Sequence, residues 1–141
     1  MSHCQLCARE IKSKLGKIAH HGYTRKQGWQ SKSCNGARGL PYEQSRDLIP
    51  AEIQRILQWI GFQEVKIKMM EEDKAPVYHK KYLGFNKGFK DEVLKPSDAY
   101  YKMYKESSLN MLKSELKSAN MQKDWLQERY NKWRLMSNGN I

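Results

Sequence analysis

The chain is 141 residues long, the size of one domain or of one domain with an appendage. Its 26 Lys and Arg outnumber 15 Asp and Glu for a net charge of +11, and a mean hydropathy of -0.88 describes a polar chain with a modest core. This size excludes a large enzyme built around a deeply enclosed cofactor domain, and no apolar run approaches the roughly 20 residues of a membrane span. No basic-then-apolar leader with a small-residue cleavage site stands at the start, which predicts a cytoplasmic protein rather than an exported one.

The charge is uneven. Residues 1–46 hold nine Lys and Arg against two acids, a net of +7; residues 47–96 hold nine against eight, and residues 97–141 eight against five. An excess concentrated this way attracts polyanions or acidic partners more selectively than a diffuse one. Three segments follow: a basic β module at 1–46, a small α/β connector at 47–95 and a long amphipathic helix at 96–137. Together they predict an α+β chain.

All three cysteines, Cys4, Cys7 and Cys34, lie in the basic segment. An odd count without an export signal argues against a disulfide framework. Cys4 and Cys7 have the C-x2-C spacing of a zinc knuckle, in which a tight turn aims both sulfurs at one ion about 2.3 Å away. Cys34 and one of His20 and His21 complete a Cys3His set, the closed shell of a structural zinc site. Adjacent residues on a strand face opposite sides, so only one histidine reaches the ion; His21, next to Gly22, is favoured, with His20 as the alternative. His3 is a weaker candidate. So few aliphatic residues cannot fold this segment alone, and metal binding would supply folding free energy.

Residues 9–14 and 17–23 read as a hairpin around the turn Leu15-Gly16, with a third strand at 28–33 after a polar turn at 24–27. The run from Asn35 to Pro41, with Gly36 and Gly39, starts no helix after the last ligand, which fits a zinc-ribbon-like sheet. Lys12, Lys14, Lys17, Arg25, Lys26, Lys32 and Arg38 surround the site, interleaved with Tyr23 and Trp29. Basic side chains on strands beside aromatic rings suit phosphate contact and base stacking, so these lysines and arginines, with Trp29, are the candidate nucleic-acid-binding residues.

The strings His20-His21-Gly22-Tyr23, Gly28-Trp29-Gln30, Ser33-Cys34 with Gly36-Ala37-Arg38, and Leu40-Pro41-Tyr42-Glu43 resemble a pattern of small phage and prophage zinc-binding proteins. The resemblance covers about the first 45 residues. It implies a phage-type zinc module at Cys4, Cys7, one of the two histidines and Cys34, and no particular activity. The HNH nucleases also join a CxxC to a His-rich hairpin, but their helix with a further metal-binding His has no counterpart: Asn35 precedes a glycine, and the next histidine is His79. Catalysis also needs an open coordination position that three cysteines and a histidine would close.

In the connector, Asp47 is placed to cap a helix opened by Ile49 or Pro50, with Ile53, Ile56, Leu57 and Ile60 on one face and Gly61 as its stop. Alternation of Val65, Ile67 and Met69 with Lys66 and Lys68 suggests a strand, an extended helix being the other reading, and Glu71-Glu72-Asp73 ends it. Residues 74–95, with Pro76, Gly84 and Gly88, read as a loop rich in aromatics and lysines. These either pack the loop down or dock it on a partner.

Pro96-Ser97-Asp98 reads as the start of a helix of some 40 residues, about 60 Å long, with Asn138-Gly139 as its stop. Heptads set on Leu109 place Leu112, Leu116, Ala119, Lys123, Leu126, Tyr130 and Trp133 along one coiled-coil-like seam. This predicts a partner-binding face at Leu109, Leu112, Leu116, Leu126, Tyr130 and Trp133, serving a homodimer or a hetero-partner; a helical hairpin broken near Ser118-Ala119-Asn120 is the monomeric reading. No catalytic residues are expected. The reading that unites these features is a phage-type, zinc-stabilised nucleic-acid-binding protein with a helical arm, in the host cytoplasm if phage-encoded. The alternative is a phage-encoded inhibitor or adaptor of a host nucleoprotein in a defence system or polymerase, with an HNH-like nuclease a minor third.

Overall fold

The computed structural model describes residues 2–22, 25, 26, 29, 30 and 32–134; of Lys14, Arg25, Lys26, Trp29 and Gln30 it describes the backbone alone. The architecture is α+β, as the sequence predicts: short antiparallel strand pairs near the N-terminus, a helix α1 at Ile49–Glu71 and a longer helix α2 at Tyr101–Asn131. No described helix is long and apolar enough to cross a membrane. The chain forms two compact units, Met1–Leu57 with Gln122–Ile141, and Gln58–Met121, and both helices run through both units.

The first unit opens with β1 (Ser2–His3) antiparallel to β2 (Glu10–Ile11), and the Cys4-to-Cys7 turn lies between them. β3 (Ser13–Lys14) pairs with β4 (Lys17–Ile18) across Leu15 and Gly16, both at positive φ (54° and 76°), the geometry of a two-residue type I′ hairpin. The expected turn is therefore here, in a ladder much shorter than predicted. β5 (Arg25–Lys26), a strand where the polar turn was expected, pairs with β6 (Trp29–Gln30), which lies within the expected third strand. Of the predicted turn, Thr24 and Gln27 lie outside the described residues, as do Tyr23 before it and Gly28 after it. After Cys34 the chain turns without starting a helix and returns to β4, through Arg38 N–H to the Ile18 carbonyl at 2.7 Å and Ile18 N–H to the Gly39 carbonyl at 2.9 Å.

Helix α1 corrects the predicted connector. Gly61 does not stop it, and residues 65–69 are helical rather than a strand. Ile49, Ile53, Ile56, Ile60, Ile67 and Met70 are all buried, a three-and-four spacing that runs straight through Gly61. The period-two alternation is a coincidence: Val65 and Met69 are exposed, at 59% and 41%. Gly61 itself faces open space, so its cost is the ordinary glycine penalty of about 1 kcal/mol, too little to break a helix held by packing. The acidic end is where the sequence places it. Asp73 takes a positive φ (58°), with Asp73 N–H on the Met70 carbonyl and Lys74 N–H on the Met69 carbonyl, which is a Schellman cap.

The second unit is built on the far half of α1 and the near half of α2. Ile67, Met70 and Leu112 form its buried core, with Ala75, Leu109 and Leu116 packed around them. Residues 74–95 are not a loop: β7 (Val77–Tyr82) and β8 (Phe89–Leu94) form a six-residue antiparallel hairpin. The glycines that suggest a loop are turn residues, Gly84 and Gly88 both having positive φ beside Asn86. Helix α2 begins at Tyr101, later than predicted, because the Asp98 carboxylate accepts the Lys95 N–H at 2.7 Å and closes a turn first. It ends at Asn131, and the predicted stop at Asn138-Gly139 lies outside the described residues.

Candidate metal centre

The first unit brings together four donors. Cys4, Cys7, His21 and Cys34 place one ligand atom each within 4.8 Å of all the others, close enough to hold a metal ion. The Cys4 and Cys34 sulfurs are 4.0 Å apart, and the Cys7 sulfur is 3.2 Å from His21 Nε2. Tetrahedral zinc with metal–sulfur bonds of about 2.3 Å needs sulfur–sulfur edges of roughly 3.8 Å, so the cluster has the right size.

The two histidines separate cleanly. His21 is buried, and its Nδ1–H donates to the Ala19 carbonyl at 2.8 Å, which leaves Nε2 unprotonated and facing the three sulfurs. A backbone acceptor behind a ligating imidazole is the usual means of setting its tautomer. His20 is exposed and turned away, with Nδ1 at 3.0 Å from Ser33 Oγ and Nε2 accepting from Arg38 Nε at 2.9 Å. His3 is engaged with the Glu43 carboxylate and stands outside the cluster.

The thiols are poised for a cation. Burial raises the Cys4 pKa and pushes that of Cys34 up to about 12, and the charge of neighbouring cysteines adds to both shifts. Thiolates at Cys4 and Cys34 are thus costly unless a positive ion joins them. The backbone is shaped for this corner. Cys34 N–H bonds the His21 carbonyl at 2.8 Å, and a side chain at Gly36 would overlap the Cys4 sulfur.

Two residues that sequence reasoning missed hold the knuckle in place. Gln5, between the first two cysteines, is fully buried. Its amide donates to the Leu40 carbonyl and the Asp47 carboxylate, and its oxygen accepts Leu48 N–H, each at 2.9 Å. Asp47, predicted to cap α1, instead spends its carboxylate on Gln5 and Ser45. The second residue is Arg129 on α2. Its guanidinium donates to the Cys4 carbonyl at 2.9 Å and the Gln5 carbonyl at 3.0 Å while lying 3.6 Å over the Tyr42 ring. In return the Tyr42 hydroxyl donates to the Arg129 carbonyl and Arg46 to the Tyr130 carbonyl, satisfying acceptors that the helix end leaves free. Gln5 is legible only as a polar residue in a knuckle, and Arg129 carries no local signal.

Of the candidate nucleic-acid contacts, Lys12, Lys17, Lys32 and Arg38 are exposed. The side chains of Lys14, Arg25, Lys26 and Trp29, and all of Tyr23, lie outside the described residues. The α2 seam that the sequence offers to a partner is covered by the chain itself. Leu112 is buried against Ile67 and Met70, with Leu109 and Leu116 beside them, and Leu126 is fully buried. Tyr130 lies under the Arg46 guanidinium at 4.0 Å, and Trp133 Nε1–H donates to the Tyr42 carbonyl at 2.6 Å. No protein-family model, curated protein or solved structure matches the chain.

Proposed function

We propose that this chain is a zinc-stabilised nucleic-acid-binding protein of phage type, in which Cys4, Cys7, His21 and Cys34 hold a structural zinc ion and the basic module around them faces the phosphates. The observation that carries this reading is the coincidence of the four-donor cluster with exposed Lys12, Lys17, Lys32 and Arg38 in the one segment that bears +7 of the charge. A shell closed by four protein donors has no open position for water or substrate, so zinc here serves folding rather than hydrolysis. Four phosphate contacts predict that log K falls against log salt with a slope of about -3 to -4 on duplex DNA.

Binding of labelled oligonucleotides to the zinc-loaded chain, measured by fluorescence anisotropy across a salt series, tests the reading. Lys12→Glu with Lys17→Glu is expected to weaken binding steeply and flatten that slope by about 2. Binding weaker than micromolar at about 0.15 M salt, unchanged by the double charge reversal, would remove nucleic acid as the partner of this module.

A further inference from the structure

Beside the metal centre, the hairpin of β3 and β4 borders a cleft that the four metal donors do not use. Leu15, Lys17, Ile18, Ala19, His20 and Arg38 line it, and its volume of about 520 Å³ falls within the range of about 300–1,000 Å³ typical of small-ligand sites. The lining divides in two. Leu15, Ile18 and Ala19 supply apolar surface, and Lys17 and Arg38 supply two positive charges. No acidic residue is among the described residues that line the cleft.

Arg38 is held by one edge. Its Nε–H donates to His20 Nε2 at 2.9 Å, so that ring nitrogen carries no proton, and His20 Nδ1–H donates in turn to Ser33 Oγ at 3.0 Å. The two terminal nitrogens of the guanidinium, without a partner among the described residues, form the fork that grips two oxygens of one phosphate. The backbone bends for the same cleft. Arg38 has a φ of 67° and Leu15 one of 54°, a region that residues with side chains rarely adopt and that gathers at ligand sites. Arg38 is kept there by its own N–H on the Ile18 carbonyl and by Ile18 N–H on the Gly39 carbonyl. Leu15 stands where a type I′ turn favours Asn, Asp or Gly, and it is 96% exposed. An apolar side chain in that place gains nothing from the fold, and it lies at the cleft. Charge narrows the ligand. Lys17 and Arg38 together match the roughly -1.5 to -2 of a phosphate monoester at neutral pH, which a diester within a strand or a carboxylate does not carry.

We propose that this cleft seats the phosphate monoester at the end of a nucleic-acid strand. Arg38 and Lys17 hold the phosphate, His20 positions Arg38, and Leu15 and Ala19 meet the sugar or base of the end nucleotide. The polymer is taken from the nucleic-acid reading above and rests on it, whereas the monoester comes from the cleft. A free mononucleotide offers the same chemistry, and the two sources separate by experiment.

The full, zinc-loaded chain is titrated with a short oligo-dT that bears a phosphate at its 5′ end, at its 3′ end or at neither. One of the phosphorylated strands is expected to bind at least about tenfold tighter than the strand with two hydroxyl ends, the gain that hydrogen bonds to a charged group provide. Arg38→Lys keeps the charge but loses the fork, and should bring that ratio below about twofold. His20→Phe removes the acceptor that positions Arg38 and should lower the ratio with the zinc content unchanged. Leu15→Asn installs a residue that the turn favours, so the fold survives, and the affinities of the phosphorylated and hydroxyl strands should converge; circular dichroism and zinc content check each variant. Equal affinities for all three strands, still weakened by Lys12→Glu with Lys17→Glu, overturn the cleft and leave the nucleic-acid reading standing. A preference for the phosphate that Arg38→Lys and Leu15→Asn both leave intact also overturns it, the gain then being general attraction to added charge. Binding of every strand weaker than micromolar at about 0.15 M salt removes the nucleic-acid reading and the strand end with it. If thymidine 5′-monophosphate then binds, thymidine does not and Arg38→Lys abolishes the difference, the strand end is overturned in favour of the free nucleotide.

Discussion

The two units are held together by different means. In Gln58–Met121 the core is apolar and conventional: Ile67 and Met70 from one helix against Leu112 from the other, with Asp73 receiving Tyr101 and Lys105 at the rim. In the unit formed by the chain ends, apolar packing is supplemented by a donor cluster, a buried glutamine and a guanidinium that clamps two backbone carbonyls. A helical segment with heptad spacing can close on itself by hydrophobic burial alone. The basic segment, with few aliphatics and strands of two residues, leans on directed hydrogen bonds, and an ion held by the four donors would add the folding free energy that a small apolar core lacks. Stability should therefore respond to different insults in the two units.

Metal removal gives the largest expected contrast. Structural zinc contributes apparent binding energies of about 10–16 kcal/mol in small zinc-finger peptides, so chelation, or Cys34→Ser, should unfold the first unit. Amide exchange read by mass spectrometry should show peptides from 2–48 losing protection while those from 62–71 and 105–116 keep theirs. A Cys34→Ser chain that retains one zinc and full protection would sink the Cys3His assignment. Gly36→Ala should act in the same direction, because its new methyl group meets the Cys4 sulfur; the expected outcome is a zinc content well below one per chain.

Next comes the opposite insult. Leu112→Ala removes a buried side chain from the helical core and should cost about 2–5 kcal/mol, seen as a lower denaturation midpoint of the helical signal with zinc content unchanged. Arg129→Ala returns to the first unit with a smaller effect. It leaves the carbonyls of Cys4 and Gln5 without their donor, and outer supports of this kind typically change metal affinity by 10–100-fold. Arg129→Lys should recover little, since an ammonium cannot place two donors in one plane. Zinc competition titrations measure both.

The contrast between units also explains what is legible in the sequence. Cys4, Cys7 and Cys34 group together because metal chemistry leaves few choices, and the α2 seam is readable because the heptad positions from Leu109 to Trp133 hold a single charged residue, Lys123. Between His20 and His21 the sequence offers only the bend at Gly22, and the Ala19 carbonyl behind His21 decides the matter. The hairpin at 77–94 escapes notice because most of both faces is polar or exposed, so charge breaks the alternation that marks a strand. Gly61 looks like a stop because a glycine's local cost is visible and the tertiary packing of Ile60 and Ile67 around it is not. Arg129 cannot be found at all, since its partners lie 124 and 125 residues away and follow no period.

The smallest effect concerns acid. Glu52 is buried at the start of α1, where its carboxylate accepts from Arg55 and from Asn35, the neighbour of Cys34. The hydrogen bond from Arg55 holds its pKa below the ordinary 4.5 against the opposing effect of burial, with Asn35 adding to the lowering. A carboxyl that binds its proton less readily when folded favours the folded state above the unfolded value and loses that advantage as pH falls through the lower folded one. Glu52→Gln keeps the shape and an acceptor but gives up the charge, and should cost on the order of 1 kcal/mol at neutral pH. The difference from the parent should shrink as pH falls below 4.5 and through the lower folded value. Denaturant midpoints of the two chains, compared pairwise from pH 7 down to pH 3.5 in the same excess of zinc, isolate this contribution, because loss of the ion in acid is common to both. A difference that persists undiminished in acid would mean that the glutamine disturbs packing, and that the carboxylate's charge has no part in joining the Cys34 turn to α1.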